Sequence, residues 1–187
     1  LASAIASKRS SGGTSMMYAA HARAIFAAAD RNAKQTKLKS LRAKLEERLP
    51  RQDEVLAGFS ELRFSEQMTT QKRLIQYVLE EIDSHLNKSR PADYSQMTIE
   101  HIAPQSNPQK QGLTANEVAE IGNLLLVDSK LNTKLDSKRF AEKIKILKGN
   151  GVALDPILKK AKTWGKDEIA ARTKWMAETG YKEIWAF

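Results

Sequence analysis

Leu38, Leu41, Leu45 and Leu49 recur at three- and four-residue spacing inside a strongly charged stretch. That is the period of one apolar stripe on an α-helix, and it predicts a helix from Ala33 to Leu49 with Pro50 as its stop. The Ala- and Met-rich segment before it, residues 15–29, reads as a helix as well. Val55, Leu56, Phe59 and Leu62 predict a short helix. Leu74, Val78, Leu79, Ile82 and Leu86 predict a longer one, with Thr70 as its cap. Asn87 to Tyr94 is a polar, proline-containing connection.

The period then changes. Met97 to Ile102 and Leu124 to Val127 are short, β-prone runs. A long loop with Pro104, Pro108 and Gly112 separates them, and Thr114 to Glu120 within it has helical character. A helix follows the second run, with Asp128 or Ser129 as its cap. Another is expected from Ser137 through Phe140, Ile144 and Leu147 to the break at Gly149-Asn150-Gly151. Two more are expected at Asp155 to Trp164 and Asp167 to Thr179, the last ended by Gly180.

The fold class that follows is mainly α with a small β component. Residues 1–14, with Ser-Ser-Gly-Gly at 10–13, form a flexible lead-in. Residues 15–94 form a helical scaffold, residues 95–150 a β–loop–β–α core, and residues 151–187 helices that pack on that core.

Composition narrows the function. The 187 residues carry a net charge of +9, which makes a polyanionic partner plausible. The charge is uneven: +7 over residues 1–50, −2 over 51–97 and +4 over 98–187. From Lys130 to Lys148, seven basic groups face only Asp136 and Glu142. The absence of cysteine excludes disulfides and thiolate zinc sites, and it suits a reducing, cytoplasmic setting. No run approaches the length of a membrane span. The chain opens on Leu1 rather than Met, and a fragment of a longer protein is the expectation.

Candidate chemistry lies in the β–loop–β–α region. Glu100 and His101 end the first run in TIEHIAPQSNPQ, Asn123 opens the second in IGNLLLVD, and Asn132 lies at the start of the following helix in SKLNTKL. A neutral imidazole can take a proton from water. A carboxylate and an amide oxygen are hard ligands suited to Mg²⁺ or Mn²⁺. Adjacent strand residues point in opposite directions, so one shared site for Glu100 and His101 requires a bend at the strand end. An isolated Glu-His pair is more often structural, and Asn123 after Gly122 reads equally as a turn residue. The ordered downstream asparagines favour catalysis.

The pattern EHIAPQS…IGNLLL…LN resembles the HNH, or His-Me finger, nucleases with their ββα-metal site, including the HNH domain of RNA-guided CRISPR nucleases. It also resembles the C-terminal nuclease domain of the GmrSD family of modification-dependent (type IV) restriction enzymes, an architecture shared by phosphorothioate-sensing SspE proteins. The likeness spans roughly residues 60–187, through QKRLIQYVLEEIDSHL before the motif and RFAEKIKIL after it. The resemblance implies His101 as general base, with Asn123 bracing the loop or orienting that base. It implies Glu100 and Asn132 as ligands of one divalent metal. Many relatives have a final His where Asn132 stands, and an amide there favours Mg²⁺ or Mn²⁺ over zinc.

Lys130, Lys134, Lys138, Arg139 and Lys143 are the candidate DNA contacts, although a charge run is usually only a solvated face. Lys143 corresponds to a recurrent lysine of the family and reads equally as a structural residue. His21 and His85 read as ordinary helix residues, Trp164, Trp175 and Trp185 as core, and Arg172 as a structural ion-pair partner. The implied function is a metal-dependent DNA endonuclease, the effector domain of an anti-phage restriction protein. The competing class is a DNA-binding or interaction module without turnover. The sequence has neither a phosphate-binding Gly-x-x-x-x-Gly-Lys-Ser/Thr loop nor the Asp-Gly-Gln-Gln-Arg motif of the family's N-terminal domain. Sensing and nucleotide hydrolysis would then belong to an N-terminal partner domain of the parent protein.

Overall fold

The computed structural model describes residues 13–88 and 93–185. Most of the expected lead-in, the middle of the polar connection and the last two residues lie outside them. Helix α1 (Thr14–Phe26) and α2 (Arg31–Glu46) form an N-terminal hairpin, with Asp30 capping α2 through the Ala33 backbone N–H. The leucine stripe does not become a core. Leu38 and Phe26 stay exposed, and neither of the two buried clusters draws on this hairpin.

Helices α3 (Gln52–Ser60) and α4 (Lys72–Leu86) follow. Thr70 is not the cap of α4: the helix starts after Gln71, without a side-chain cap. Strands β1 (Met97–His101) and β2 (Leu124–Asp128) pair antiparallel, with Glu100 opposite Leu125 and His101 opposite Leu124. Between them lies α5 (Ala115–Ala119), started by a reciprocal capping pair of Thr114 and Glu117. Asp128 caps α6 (Ser129–Leu135) through the Leu131 N–H.

Next come α7 (Phe140–Gly149), α8 (Pro156–Lys160) and α9 (Lys166–Thr179). Helix α7 begins three residues later than Ser137 predicts, because Asp136 takes a positive φ of 34° and turns the chain first. Gly180 does not end α9. It stays right-handed, at φ −57°, and the chain continues as a π-helical turn, Gly180–Ile184. The glycine serves packing instead, since a Cβ at Gly180 would collide with the Trp185 ring.

The small sheet is buried on both faces, and strand alternation sorts its side chains. Leu124 and Leu126 join Phe59, Ile75, Val78 and Met176 in one cluster, with Met97 and Ile99 packed against it. Leu125 and Val127 join Ile102, Leu131, Leu135 and Leu147 in the other. Helix α9 serves both, through Ile169 on one side and Met176 and Ala177 on the other. Burial of these side chains, each worth roughly 1.5–3 kcal/mol, locks β1 and β2 in register. The last residues of β1 are therefore held from two sides.

Candidate active site

Glu100 and His101 leave opposite faces of β1, as alternation requires. Glu100 shares the face of Thr98 and is directed at α7, where the Lys143 ammonium pairs with its Oε1. Lys143 also donates to the His101 carbonyl oxygen at 2.7 Å. Both side chains are nearly inaccessible, at 1% for Lys143 and 8% for Glu100. Burial is the main influence on each: it pushes the Glu100 carboxyl up, opposed by Lys143, and pulls the Lys143 ammonium down, opposed by Glu100.

His101 lies on the other face, stacked on Phe64 with ring centroids 5.9 Å apart. Its Nε2 is 2.9 Å from the Phe64 carbonyl oxygen. A carbonyl can only accept, so Nε2 carries the proton and the lone pair lies on Nδ1. The Gln105 side-chain amide faces that lone pair at 3.3 Å, while Gln105 Oε1 receives the Glu66 backbone N–H at 3.2 Å. Burial holds the imidazole below its ordinary value of 6.5, which keeps it neutral at pH 7. The chain bends directly after His101, over Ile102 to Ser106, rather than between Glu100 and His101.

Asn132 lies on α6 over β1. Its Nδ2 donates to Thr98 Oγ1 at 2.8 Å and to the Ile99 carbonyl at 3.4 Å. It therefore stands on the Glu100 side of the strand, with its amide oxygen still available as a ligand. Asn123 is wholly buried in the turn before β2. Its Oδ1 accepts from Ala103 N at 2.8 Å and Trp164 Nε1 at 2.9 Å. Its Nδ2 donates to Ala103 O at 3.0 Å and Val118 O at 2.8 Å. Asn123 thus ties the loop after His101 to α5 and Trp164.

Arg172 braces the same turn. It pairs with Asp155 at 2.7 Å and donates to the Gly122 and Leu124 carbonyls at 2.8 and 2.7 Å. Gly122 is required here, because a Cβ would collide with the Ile169 carbonyl of α9.

Of the expected DNA contacts, Lys130 and Lys134 are exposed on α6, and Lys138 and Arg139 are exposed in the connection between α6 and α7. Lys143 is not among them. The sequence grouped it with the surface charges, but its place on α7 turns it inward to the Glu100 carboxylate. Between α6 and α7 runs an open groove of about 770 Å³ whose lining includes Thr133, Lys134, Lys138 and Lys145.

Sequence reasoning gave no role to Gln105, Thr98 or the Trp164 N–H. The first two stand inside the quoted motif, so their place beside His101 and Asn132 left a signal. Trp164 left none, since its partner is 41 residues away.

In fold and site, then, this is a mainly helical domain whose small antiparallel sheet carries a buried carboxylate and a neutral imidazole at the end of β1, with one amide in the turn before β2, another on α6 over β1, and a lysine-lined groove between α6 and α7. The family model of the GmrSD restriction endonucleases, C-terminal domain, matches residues 49–179, and the chain belongs to that family. The matched span runs from just after α2 to the end of α9. A comparison with curated proteins gives no match. Membership makes the chain a restriction-endonuclease domain, with DNA as its substrate class. Among the described residues, no helix is long and apolar enough to cross a membrane.

Proposed function

We propose that this domain is an HNH-type, divalent-metal-dependent DNA endonuclease that nicks or cuts DNA as the effector of a cytoplasmic, modification-dependent defence against phage. The observation that carries this reading is the ordered β1–β2–α6 unit, with Glu100 and His101 at the end of β1 and Asn132 packed across it. Recognition of the modification, phosphorothioate or another, and any nucleotide hydrolysis fall to residues outside these 187.

The donor set fits a hard cation. A carboxylate and an amide oxygen on one side of β1 are the ligand types that Mg²⁺ and Mn²⁺ take while keeping several waters. No group of three or more His, Cys, Asp or Glu side chains among the described residues offers a closed cage. Glu100 and Asn132 would hold the ion on one face of β1 while His101 stands on the other, so ion and imidazole act on one phosphate only where it spans the end of the strand, and there the ion would supply charge stabilisation.

His101 works through Nδ1. The Phe64 carbonyl fixes the tautomer, so the lone pair faces the bend at the end of β1, where it takes a proton from the attacking water. Gln105, now against Nδ1, gives way to that water or helps orient it. Lys130, Lys134, Lys138 and Arg139 draw in the phosphate backbone.

Incubation of the protein with supercoiled plasmid and Mg²⁺ or Mn²⁺ tests this. Wild type should convert the plasmid, while His101→Ala, Glu100→Gln and wild type in chelator should not. Equal cleavage by His101→Ala would sink the reading. A second reading, a DNA-binding module without turnover, draws on the burial of His101 and the capture of Glu100 by Lys143. It requires DNA binding that is salt-sensitive and indifferent to metal and to His101→Ala.

A further inference from the structure

We propose that the Lys143 ammonium is a built-in competitor for the cation at Glu100, so that a divalent ion binds only by displacing it. The inference rests on the metal-binding reading of Glu100 given above. Its basis is a buried cation already seated on the carboxylate.

A lysine almost wholly removed from water is costly unless its charge is paired and its protons are bonded. Lys143 meets both needs at the end of β1, on Glu100 Oε1 and the His101 carbonyl oxygen. Its position is fixed from behind, since Leu147, one turn further along α7, is buried in the cluster that holds Leu125 and Val127. The ammonium thus occupies oxygens of the kind a hydrated Mg²⁺ or Mn²⁺ seeks. Exposed Asp136 adds negative potential to the same spot and acts on both partners.

A second cation on the same carboxylate meets the first at short range, in surroundings of lower dielectric than water, where like charges repel strongly. The protein without metal is therefore folded and neutralised at Glu100, and its metal affinity is weak. Lys143 also keeps the strand end in place through the His101 carbonyl, so displacement from Glu100 need not release β1.

The test is Mn²⁺ binding to the full 187-residue chain, read from the electron paramagnetic resonance signal of free Mn²⁺, with no DNA present. Lys143→Met should bind Mn²⁺ about tenfold more tightly than wild type, the scale on which neighbours of a ligand alter metal affinity. Lys143→Arg, which keeps the charge, should bind no better than wild type, and Glu100→Gln should lose the site. If Lys143→Met binds equally or more weakly while Glu100→Gln loses binding, the competitor role is overturned and the metal reading stands. If Glu100→Gln binds like wild type, the metal reading falls and takes the proposal with it.

A measurement on wild type decides the matter even if Lys143→Met fails to fold. In lysine ¹⁵N-labelled protein, the buried ammonium gives a slowly exchanging signal, and saturating Mg²⁺ should shift it or abolish its protection. An unchanged, still protected signal overturns the proposal.

Discussion

Asn123→Ala offers a direct measure of what holds the loop after His101. The substitution removes one side chain with four hydrogen bonds, none of them accessible to bulk water. It strands two donors, Ala103 N and Trp164 Nε1, and two acceptors, the Ala103 and Val118 carbonyls. A buried polar group left without its partner costs roughly 1–3 kcal/mol. The two donors alone therefore cost about 2–6 kcal/mol, and a water entering the vacated space recovers part of it. The expected net loss is about 3–5 kcal/mol, a large share of the roughly 5–15 kcal/mol of a typical domain.

Urea unfolding followed by Trp fluorescence and far-UV circular dichroism measures this loss, which should also lower the melting temperature by about 10 °C. Asn123→Asp separates the donors from the acceptors. It keeps the acceptor for Ala103 N and Trp164 Nε1 but sets carboxylate oxygen against two carbonyls. Its folded-state pKa is raised, so its deficit should shrink as pH falls and grow as pH rises. A loss below about 1 kcal/mol for Asn123→Ala would refute the bracing role.

Three further outcomes are expected. Arg172→Met leaves Asp155 buried and unpaired beside the Gly122 turn, and should cost about 3–5 kcal/mol in the same unfolding assay; a near-neutral variant contradicts the brace. Lys134→Ala with Lys138→Ala should weaken DNA binding evenly across sequences and reduce the slope of log K against log salt by up to about 1.8, so an unchanged slope in fluorescence anisotropy removes both lysines from the contact surface. His101 is held below its ordinary 6.5 chiefly by burial, so the unfolded chain takes up this proton first. The contribution is present above pH 6.5 and lost as pH falls through the folded value. Wild type should therefore lose stability below pH 6.5 more steeply than His101→Gln, and identical slopes would contradict the buried, neutral imidazole.

Much of the fold was legible because its signals are local. The helical period of α3, α4 and α9, the two β-prone runs, and the cap at Asp128 depend on neighbours within a few residues. Three boundaries fell elsewhere. Thr70 carries a capping side chain without a capping position, Asp136 turns the chain before α7, and Gly180 is small for the sake of Trp185 rather than to stop a helix. The last was decided by a tertiary contact, the Trp185 ring, which propensity does not encode.

The sequence by itself determined the chemistry present at the end of β1: a carboxylate, an imidazole and two amides in a fixed order, next to a basic run. The direction each side chain takes was decided only by tertiary structure. A two-sided core holds β1 so that Glu100 meets Lys143 and His101 meets Phe64 on the opposite face. The same packing withdrew Lys143 from the surface charges and enlisted Trp164 and Arg172 to hold Asn123 and its turn. The physical reason is desolvation: a buried charge or amide must find its partner wherever packing brings one, and those partners lie 17 to 50 residues away.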